Sequence, residues 1–436
     1  MIFSRYLRTR TKNNRVVIFH ELHPDPVYCE GAIWEVFKSN PSETEQELLA
    51  NLRARGLVIN SREEDDEDLR STEEKVRAKF NHPAILYLMM THGCNLNCAY
   101  CPIPELATRD ASQLLSLRDA MAGIELWKNH IRESGIEDRG YTLIFYGGEP
   151  LLNRRTIEQV LEQVRLQKGE LPHNLEKMVA TNGVLADEAF ANLCLEHEVS
   201  VAIGLDGPED AHNALRPYLA GGETFQDVIR SIRLLVGRGV KTYVSATVTP
   251  WNLDSISSYP ELFGSLGVDK FGFNFLRGRM LRMIVPTPKL RSEYFRKAAQ
   301  AIIDCCRMSP GYEYQLDKKV RAFRGDPFPQ DCTCYGSQLV VHPDGQVSNC
   351  PFSGLKLGHL QDLPPDFRIW KTKVVGEWRK RLPLHDPAFR DCDAKSVCGP
   401  GCAWSSLQTE GDILSVDEGA KVFSEEVFDE LIWGNL

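Results

Sequence analysis

The chain has 436 residues, 42% of them hydrophobic and 25% charged, which is enough for two or three well-buried cores. It has no apolar run of about 18 or more residues, which argues against a membrane span, and a net charge of -9 disfavours broad binding to nucleic-acid backbone. Thirteen cysteines without an apolar export signal point to metal-binding thiols in a reducing, cytoplasmic setting rather than to disulfides.

Residues 1–60 read as a small module. Val16–Phe19 forms a strand, and Ile33, Trp34, Val36 and Phe37 give one apolar helical face. Ser42-x-x-Glu45 is a capping box opening a second helix, with Leu48, Leu49 and Leu52 inward and Gly56 as its stop, before Leu57–Ile59 begins another strand. The basic start (Arg5, Arg8, Arg10, Lys12, Arg15) is either a solvated face, the favoured reading, or a receiver for an acidic peptide. The acidic run Glu63–Asp68 is too repulsive to pack and makes residues 61–80 a linker, with a lid over a basic groove as the alternative.

From residue 81 to 290, strands at 84–90, 141–147, 177–182, 199–206, 241–248 and 270–276 alternate with amphipathic stretches such as Leu115–Ile131, Thr156–Leu166 and Phe225–Leu235. Such alternation specifies an α/β parallel sheet with helices outside. The first strand runs into Cys94-Asn-Leu-Asn-Cys98-Ala-Tyr100-Cys101. This Cys-x3-Cys-x2-Cys spacing supplies three thiolates where a [4Fe-4S] cluster has four irons, leaving one iron open. Structural zinc, by contrast, takes a closed set of four ligands. The loop leaves the C-terminal end of a strand, where barrels place their active sites.

Gly147-Gly148-Glu149-Pro150 follows the second strand. Its glycines let backbone approach a ligand closely, and Glu149 can accept from a cationic amine. Thr181-Asn182-Gly183 ends the third strand and Gly204-Leu205-Asp206-Gly207-Pro208 the fourth, followed by His212 and Arg216. Asp206 either orients the next loop or serves a turn. Arg216 either clamps a carboxylate or makes a surface salt bridge, and His212 reads as structural.

These segments, with Tyr100 before the last cysteine, resemble the radical S-adenosylmethionine (radical SAM) enzymes. The resemblance implies a partial, six-stranded (β/α)6 TIM-like barrel and a [4Fe-4S] cluster on Cys94, Cys98 and Cys101. It also implies that S-adenosylmethionine occupies the open iron and is cleaved to a hydrogen-abstracting 5'-deoxyadenosyl radical. Tyr100, Gly147, Gly148, Glu149, Asn182, Asp206 and Arg216 fall at positions implied to bind the cofactor. The serine of the family's Ser-Leu-Asp-Gly-Pro stretch is Gly204 here, so one hydroxyl contact is missing. Residues 1–60 resemble the winged-helix leader-recognition domains of peptide-modifying systems, with a plain accessory domain as the alternative.

Six cysteines crowd the region 291–436: Cys332, Cys334, Cys350, Cys392, Cys398 and Cys402. Val340–Val347 is a hairpin with Asp344-Gly345 at its turn. Gly345-x4-Cys350 and Cys392-x5-Cys398-x3-Cys402 resemble the SPASM domain, which carries auxiliary iron–sulfur clusters. Two of that domain's ligands are missing, one of them replaced by Phe389. Two fully thiolate-ligated clusters need eight cysteines, so six favour one auxiliary [4Fe-4S] cluster. By the resemblance it involves Cys350, Cys402 and Cys332 or Cys334 or both. Cys392 and Cys398 complete it, bind something else or are relics, and zinc on four of the six is the alternative. Cys29, Cys194, Cys305 and Cys306 lack ligand spacing and read as core residues.

The expected activity is modification of a ribosomally made precursor peptide, with a reductase, flavodoxin or ferredoxin as electron donor. The catalytic acid or base stays unassigned. Two alternatives stand beside it, an anaerobic sulfatase-maturase-like enzyme making formylglycine and a non-catalytic zinc-binding regulator.

Overall fold

The computed structural model describes residues 2–39, 46–103, 113–136, 139–167, 169–268, 270–308, 312–399 and 401–434. The capping box expected at residues 42–45 lies outside them. In the first unit, β1 (Ile2–Phe3) pairs antiparallel with β5 (Val58–Ile59). β2 (Leu7–Lys12), β3 (Arg15–His20) and β4 (Val27–Glu30) form an antiparallel sheet with β3 in the middle. Successive side chains of β3 point to opposite faces. Val16 and Ile18 therefore join Trp34 and Phe37 of α1 (Gly31–Ser39) and Leu52 of α2 (Gln46–Ala54). Ile33 and Val36, expected on the same inward face of α1, are exposed.

The other face of β3 docks on the far end of the chain. Val17 and Phe19 pack with Ala322, Ala394, Val397, Phe428 and Ile432. Arg10 reaches Asp393 at 2.7 Å and Asp429 at 2.8 Å, and the Tyr28 hydroxyl donates to the Ile432 carbonyl at 2.8 Å. Buried Glu21 pairs with both Arg8 and Lys395. Lys12 lies over Trp433 and Arg15 over Tyr28. Arg5, Lys12 and Arg15 of the basic start are exposed, in keeping with a solvated face, while Arg8 and Arg10 are half-buried in ion pairs within the chain.

The acidic run is not a linker but the start of a long helix, α3 (Arg62–Lys79). Acids in a first turn suit the positive end of a helix, and groups of the first unit pair with them. Arg5 pairs with Asp66, and His23 with Asp68 at 2.7 Å. Buried Asp65 accepts from the Ser4 hydroxyl (2.6 Å), the Arg5 N–H (3.1 Å) and Arg62 (3.0 Å).

Six strands follow: β6 (Ile85–Met89), β7 (Tyr141–Tyr146), β8 (Leu175–Thr181), β9 (Val199–Gly204), β10 (Thr242–Val248) and β11 (Lys270–Phe275). They lie parallel and side by side in chain order, matching the six expected strands and the layout of a partial barrel. α4 (Leu117–Ser134), α5 (Arg154–Leu166), α6 (Glu188–Glu196), α7 (Glu209–Leu215), α8 (Phe225–Gly237) and α9 (Tyr259–Ser265) lie between them and share their apolar core. Along β10 every second residue is buried (Val244, Ala246, Val248), while Ser245 and Thr247 line an open cavity.

β12 (Tyr312–Glu313) extends the sheet beyond β11. At the other edge β13 (Gln338–Val341) runs parallel to β6, then turns at Asp344-Gly345 into β14 (Gln346–Ser348) and β15 (Gly358–His359). The expected hairpin is therefore part of the barrel sheet, which has ten strands. The remaining helices are α10 (Gly278–Ile284), α11 (Pro288–Met308), α12 (Tyr314–Phe323), α13 (Lys373–Trp378), α14 (Ala403–Glu410) and α15 (Glu418–Ile432). α11 spans the boundary expected at 290, and its Tyr294 hydroxyl donates to the Val248 carbonyl of β10 at 2.6 Å. Among the described residues no helix is long and apolar enough to cross a membrane.

Glu313 ties this sheet edge together, accepting from the Phe273 N–H (3.0 Å) and the Leu316 N–H (2.7 Å). Burial pushes its carboxyl up from 4.5 to about 7. The folded state then holds a proton that the unfolded chain releases, so this contribution is present below pH 4.5 and is lost as pH rises through 7. Relative to Glu313→Gln, the wild type should lose up to about 3 kcal/mol of unfolding free energy between pH 4.5 and 8. Denaturant titrations of both proteins across that range would measure the difference, and parallel pH profiles would refute it.

Candidate active site

The loop after β6 carries Cys94, Cys98 and Cys101, all half-buried, onto one wall of a cavity of about 330 Å³. The C-terminal ends of the six parallel strands form the rest of its floor. Small or polar residues, Gly147 and Gly148 after β7, Ala180 to Asn182 on β8, Ala202 and Gly204 on β9, Ser245 and Thr247 on β10 and Asn274 on β11, leave it open. Its charged lining residues are Arg216 and Arg277, with no carboxylate among those described.

The loop is fixed by backbone bonds to a segment more than a hundred residues away. Ala99 N–H donates to Leu215 O (2.9 Å), Asn97 N–H to Pro217 O (2.8 Å) and Leu219 N–H to Asn95 O (2.8 Å). Arg216 is therefore delivered by the same contact that holds the cysteines. Its guanidinium donates to the Tyr100 hydroxyl at 2.6 Å, and that hydroxyl donates in turn to Asp206. Asp206 is wholly buried, 3.6 Å from Arg216, and also accepts from the Thr247 N–H at 2.8 Å. Burial raises its carboxyl above the ordinary range, opposed chiefly by the Arg216 charge. Arg216 is thus not a surface salt bridge, and Asp206 orients the next strand end. His212 is buried beneath them, between the Asp206 N–H (3.3 Å) and the Thr224 hydroxyl (3.1 Å), a structural position.

The paired glycines line the cavity and also admit a close backbone approach within the chain. A Cβ on Gly147 would lie 2.3 Å from the Thr91 carbonyl oxygen, and one on Gly148 2.1 Å from that of Gly93. Their backbone packs directly on the cysteine loop, with Gly148 N–H donating to Thr91 O and Glu149 N–H to Gly93 O, both at 2.9 Å. Glu149 is fully buried and lies outside the cavity lining. Its carboxylate accepts from the Leu151 N–H (2.9 Å), the Thr181 hydroxyl (2.7 Å) and the Asn182 N–H (2.8 Å). It thereby aims Asn182, whose amide donates to Asn95 at 2.7 Å and sits 3.8 Å from the Cys94 sulfur. Gly204 also has a local reason, since a Cβ there would fall 2.5 Å from the Arg216 guanidinium.

Residues 88–258 match the radical SAM superfamily profile. Those residues form a radical SAM domain. Among curated relatives of this enzyme, the cysteine-type anaerobic sulfatase-maturating enzyme of Clostridium perfringens is 24% identical over 376 residues, covering 80% of this chain and 97% of that one. The radical SAM cyclopropyl synthase TigE of Paramaledivibacter caminithermalis is 19% identical, covering 96% of this chain and 93% of that one. Among solved structures, native anSMEcpe with bound AdoMet superposes with a TM-score of 0.63 at 22% identity, covering 81% of this chain and 99% of that one. That likeness establishes a shared fold. The non-catalytic zinc regulator expected as one alternative is overturned by the family match.

The cofactors of this radical SAM enzyme are S-adenosylmethionine and a [4Fe-4S] cluster, and the donor set fits them. Three thiols on one wall leave one iron of such a cluster open toward the cavity. Two guanidiniums with no lining carboxylate suit an anionic group beside it. The cavity volume is within the range of small-molecule sites.

The C-terminal cysteines divide into two groups. Cys332, Cys334, Cys350 and Cys402 share one apolar core with Phe80, Tyr335, Trp378 and Trp404. Cys334 donates to the Cys332 sulfur, pulling the Cys332 thiol down to about 6, with Arg277 and Lys318 adding to the effect. Cys392 and Cys398 lie apart, against α15. The Cys392 thiol faces Glu425 at 3.6 Å, and that of Cys398 faces the Gly399 and Ala420 carbonyls at 3.3 and 3.9 Å. Among the described residues no three cysteine sulfurs come within 4.8 Å of one another. Tyr146 packs edge to face on Phe352 at 6.1 Å and Phe352 lies tilted against Trp404 at 5.8 Å, and the three form the cavity wall on this side. Cys194 and Cys305 are core residues, as expected.

Sequence reasoning missed Asn95, Tyr146, Phe352, Trp404 and Arg277. Phe352, Trp404 and Arg277 come from three separate segments with no motif of their own, whereas Tyr146 stands directly before Gly147-Gly148-Glu149-Pro150. Asn95, inside the cysteine loop, had a signal in its position alone.

Proposed function

We propose that this radical SAM enzyme is a maturase acting on a ribosomally made peptide. Cys94, Cys98 and Cys101 hold the catalytic cluster, and Cys332, Cys334, Cys350 and Cys402 hold one auxiliary cluster. The observation that carries the reading is one cavity bordered by the first cysteine set and by Phe352 and Trp404, which pack with the second. That architecture comes in a chain matching TigE over 96% of its length. Neighbouring anSMEcpe is known with a bound Cp18Cys peptide, in keeping with a peptide substrate here.

The bound cofactors supply the hydrogen-abstracting radical chemistry of the family. The chain's own residues provide the frame. Arg216, held by Tyr100 and Asp206, offers a fixed cation to a carboxylate in the cavity. Asn182, aimed by Glu149, orients the Cys94 loop. Tyr146, Phe352 and Trp404 keep water from the space between the two cysteine groups. The unit at residues 2–59, docked on the C-terminal residues, has the strand-and-helix content of a leader-recognition domain.

A sulfatase-maturase-like activity is the second reading, favoured by the 97% coverage of the Clostridium perfringens enzyme. The anaerobically reconstituted enzyme, with S-adenosylmethionine and dithionite, should change the mass of a precursor peptide encoded beside its gene. It should leave a cysteine-type sulfatase-motif peptide intact. Loss of two hydrogens from the sulfatase peptide alone would transfer the assignment to the second reading.

A further inference from the structure

Arg277 follows β11 and caps the start of α10, where its side chain lines the main cavity together with Cys94, Cys98 and Cys101. It also lines a second, small cavity of about 30 Å³ with Cys402, Lys319, Asp331 and Asp417. The residue thus stands in the wall between the two cysteine groups. The wall is rigidly joined there. Gly278 N–H donates to the Ser405 hydroxyl at 3.0 Å, and Ser405 N–H donates to the Cys402 sulfur at 3.4 Å. Gly278 has φ +60, and a Cβ on it would meet the Trp404 ring at 2.5 Å, so this close approach requires glycine.

No carboxylate among the described residues bonds to the Arg277 guanidinium. Asp417, in the same small cavity, is occupied by the Cys402 N–H (2.6 Å) and the Ala420 N–H (3.2 Å). Asp331 is paired with Lys319 at 2.6 Å. The thiols of Cys402 and Cys332 are among the groups whose negative charge Arg277 feels most. A half-buried cation that no carboxylate among the described residues bonds, beside thiols that become thiolates on binding iron, acts on their charge because the surroundings screen it less than water does.

We propose that Arg277 is a positioning residue for the C-terminal iron–sulfur centre, holding its reduction potential above the value the thiolates alone would give. The inference rests on the assignment of an auxiliary cluster to Cys332, Cys334, Cys350 and Cys402. When such a cluster accepts one electron from an external one-electron donor, [4Fe-4S]2+ becomes [4Fe-4S]+. Its net charge with four thiolates moves from -2 to -3, and no bond or proton moves. A fixed positive charge nearby favours the more negative state, so its removal makes reduction harder.

The test uses the full-length chain with Cys94, Cys98 and Cys101 changed to alanine, so that only the C-terminal centre remains, reconstituted anaerobically. Dithionite titration is followed by electron paramagnetic resonance with Arg277 intact, with Arg277→Gln and with Arg277→Lys. Arg277→Gln should lower the ratio of reduced to oxidised cluster about tenfold at a fixed potential, about 59 mV for one electron. Arg277→Lys should recover most of the loss, since it keeps the charge. An unchanged potential in Arg277→Gln, with iron content unchanged, overturns the proposal and leaves the auxiliary cluster standing. Absence of iron from the protein with Arg277 intact overturns the cluster assignment, and the proposal falls with it.

Discussion

Replacing Cys94, Cys98 and Cys101 together by alanine lowers bound iron from about eight to about four per chain after anaerobic reconstitution. It also takes S-adenosylmethionine cleavage to background. The remaining iron should persist because the second cysteine group has its own core, made by Phe80, Tyr335, Trp378 and Trp404, into which the first three cysteines do not enter. The fold should persist as well. The loop is held by backbone bonds to residues 215–219 and by the Gly147-Gly148 contact, none of which uses a thiol. Iron and acid-labile sulfide assays read the outcome. A fall from about four to none would remove the auxiliary cluster from the account, and unchanged iron would remove the catalytic one.

The second large effect is expected at Arg216. Arg216→Ala leaves Asp206, which is completely buried, with only the Tyr100 hydroxyl and the Thr247 N–H. Breaking a buried ion pair by deleting one partner costs about 3–5 kcal/mol. A drop of that size in denaturant unfolding should accompany loss of S-adenosylmethionine binding in calorimetry. Arg216→Lys should not rescue binding, because a point charge lacks the planar fork that meets Tyr100 on one side and the cavity on the other. Gly204→Ser is the instructive companion. Placing there the serine that the resemblance led us to expect should weaken cofactor binding about tenfold, since its Cβ collides with the guanidinium at 2.5 Å. Tighter binding by Gly204→Ser would show that Arg216 does not set the affinity.

The barrel was legible in the sequence because each strand is a local event, an apolar run ending at a turn and followed by an amphipathic stretch. The cysteine loop was legible because three ligands lie within eight residues. The features that escaped are those made by distant segments. The acidic run reads as repulsive until Arg5, His23 and Ser4 are folded against it. The glycines of the Gly147-Gly148 pair line the cavity, but that they also admit the backbone of residues 91–93 is a contact made only in the fold. Tyr100 lines the cavity too, and the engagement of its hydroxyl with Arg216 and Asp206 is a partnership no spacing rule encodes. The pairing of β13 with β6 joins residues some 250 apart and turns two anticipated domains into one sheet.

The docking of the first unit on the last helices has a consequence for how the polypeptide is made. Arg10 and Asp429 are separated by 419 positions, Tyr28 and Ile432 by 404, and Glu21 and Lys395 by 374. Chains emerge from the ribosome N-terminus first at about 5–20 residues per second. The strand bearing Val17 and Phe19 therefore waits until Ala394, Val397, Phe428 and Ile432 have been made before its second face is covered, and Glu21, already beside Arg8, waits for Lys395. Contacts this remote are also the slowest to close in refolding. Until then the nascent chain is exposed to misassociation at Val17 and Phe19, and native completion depends on residues 394–432.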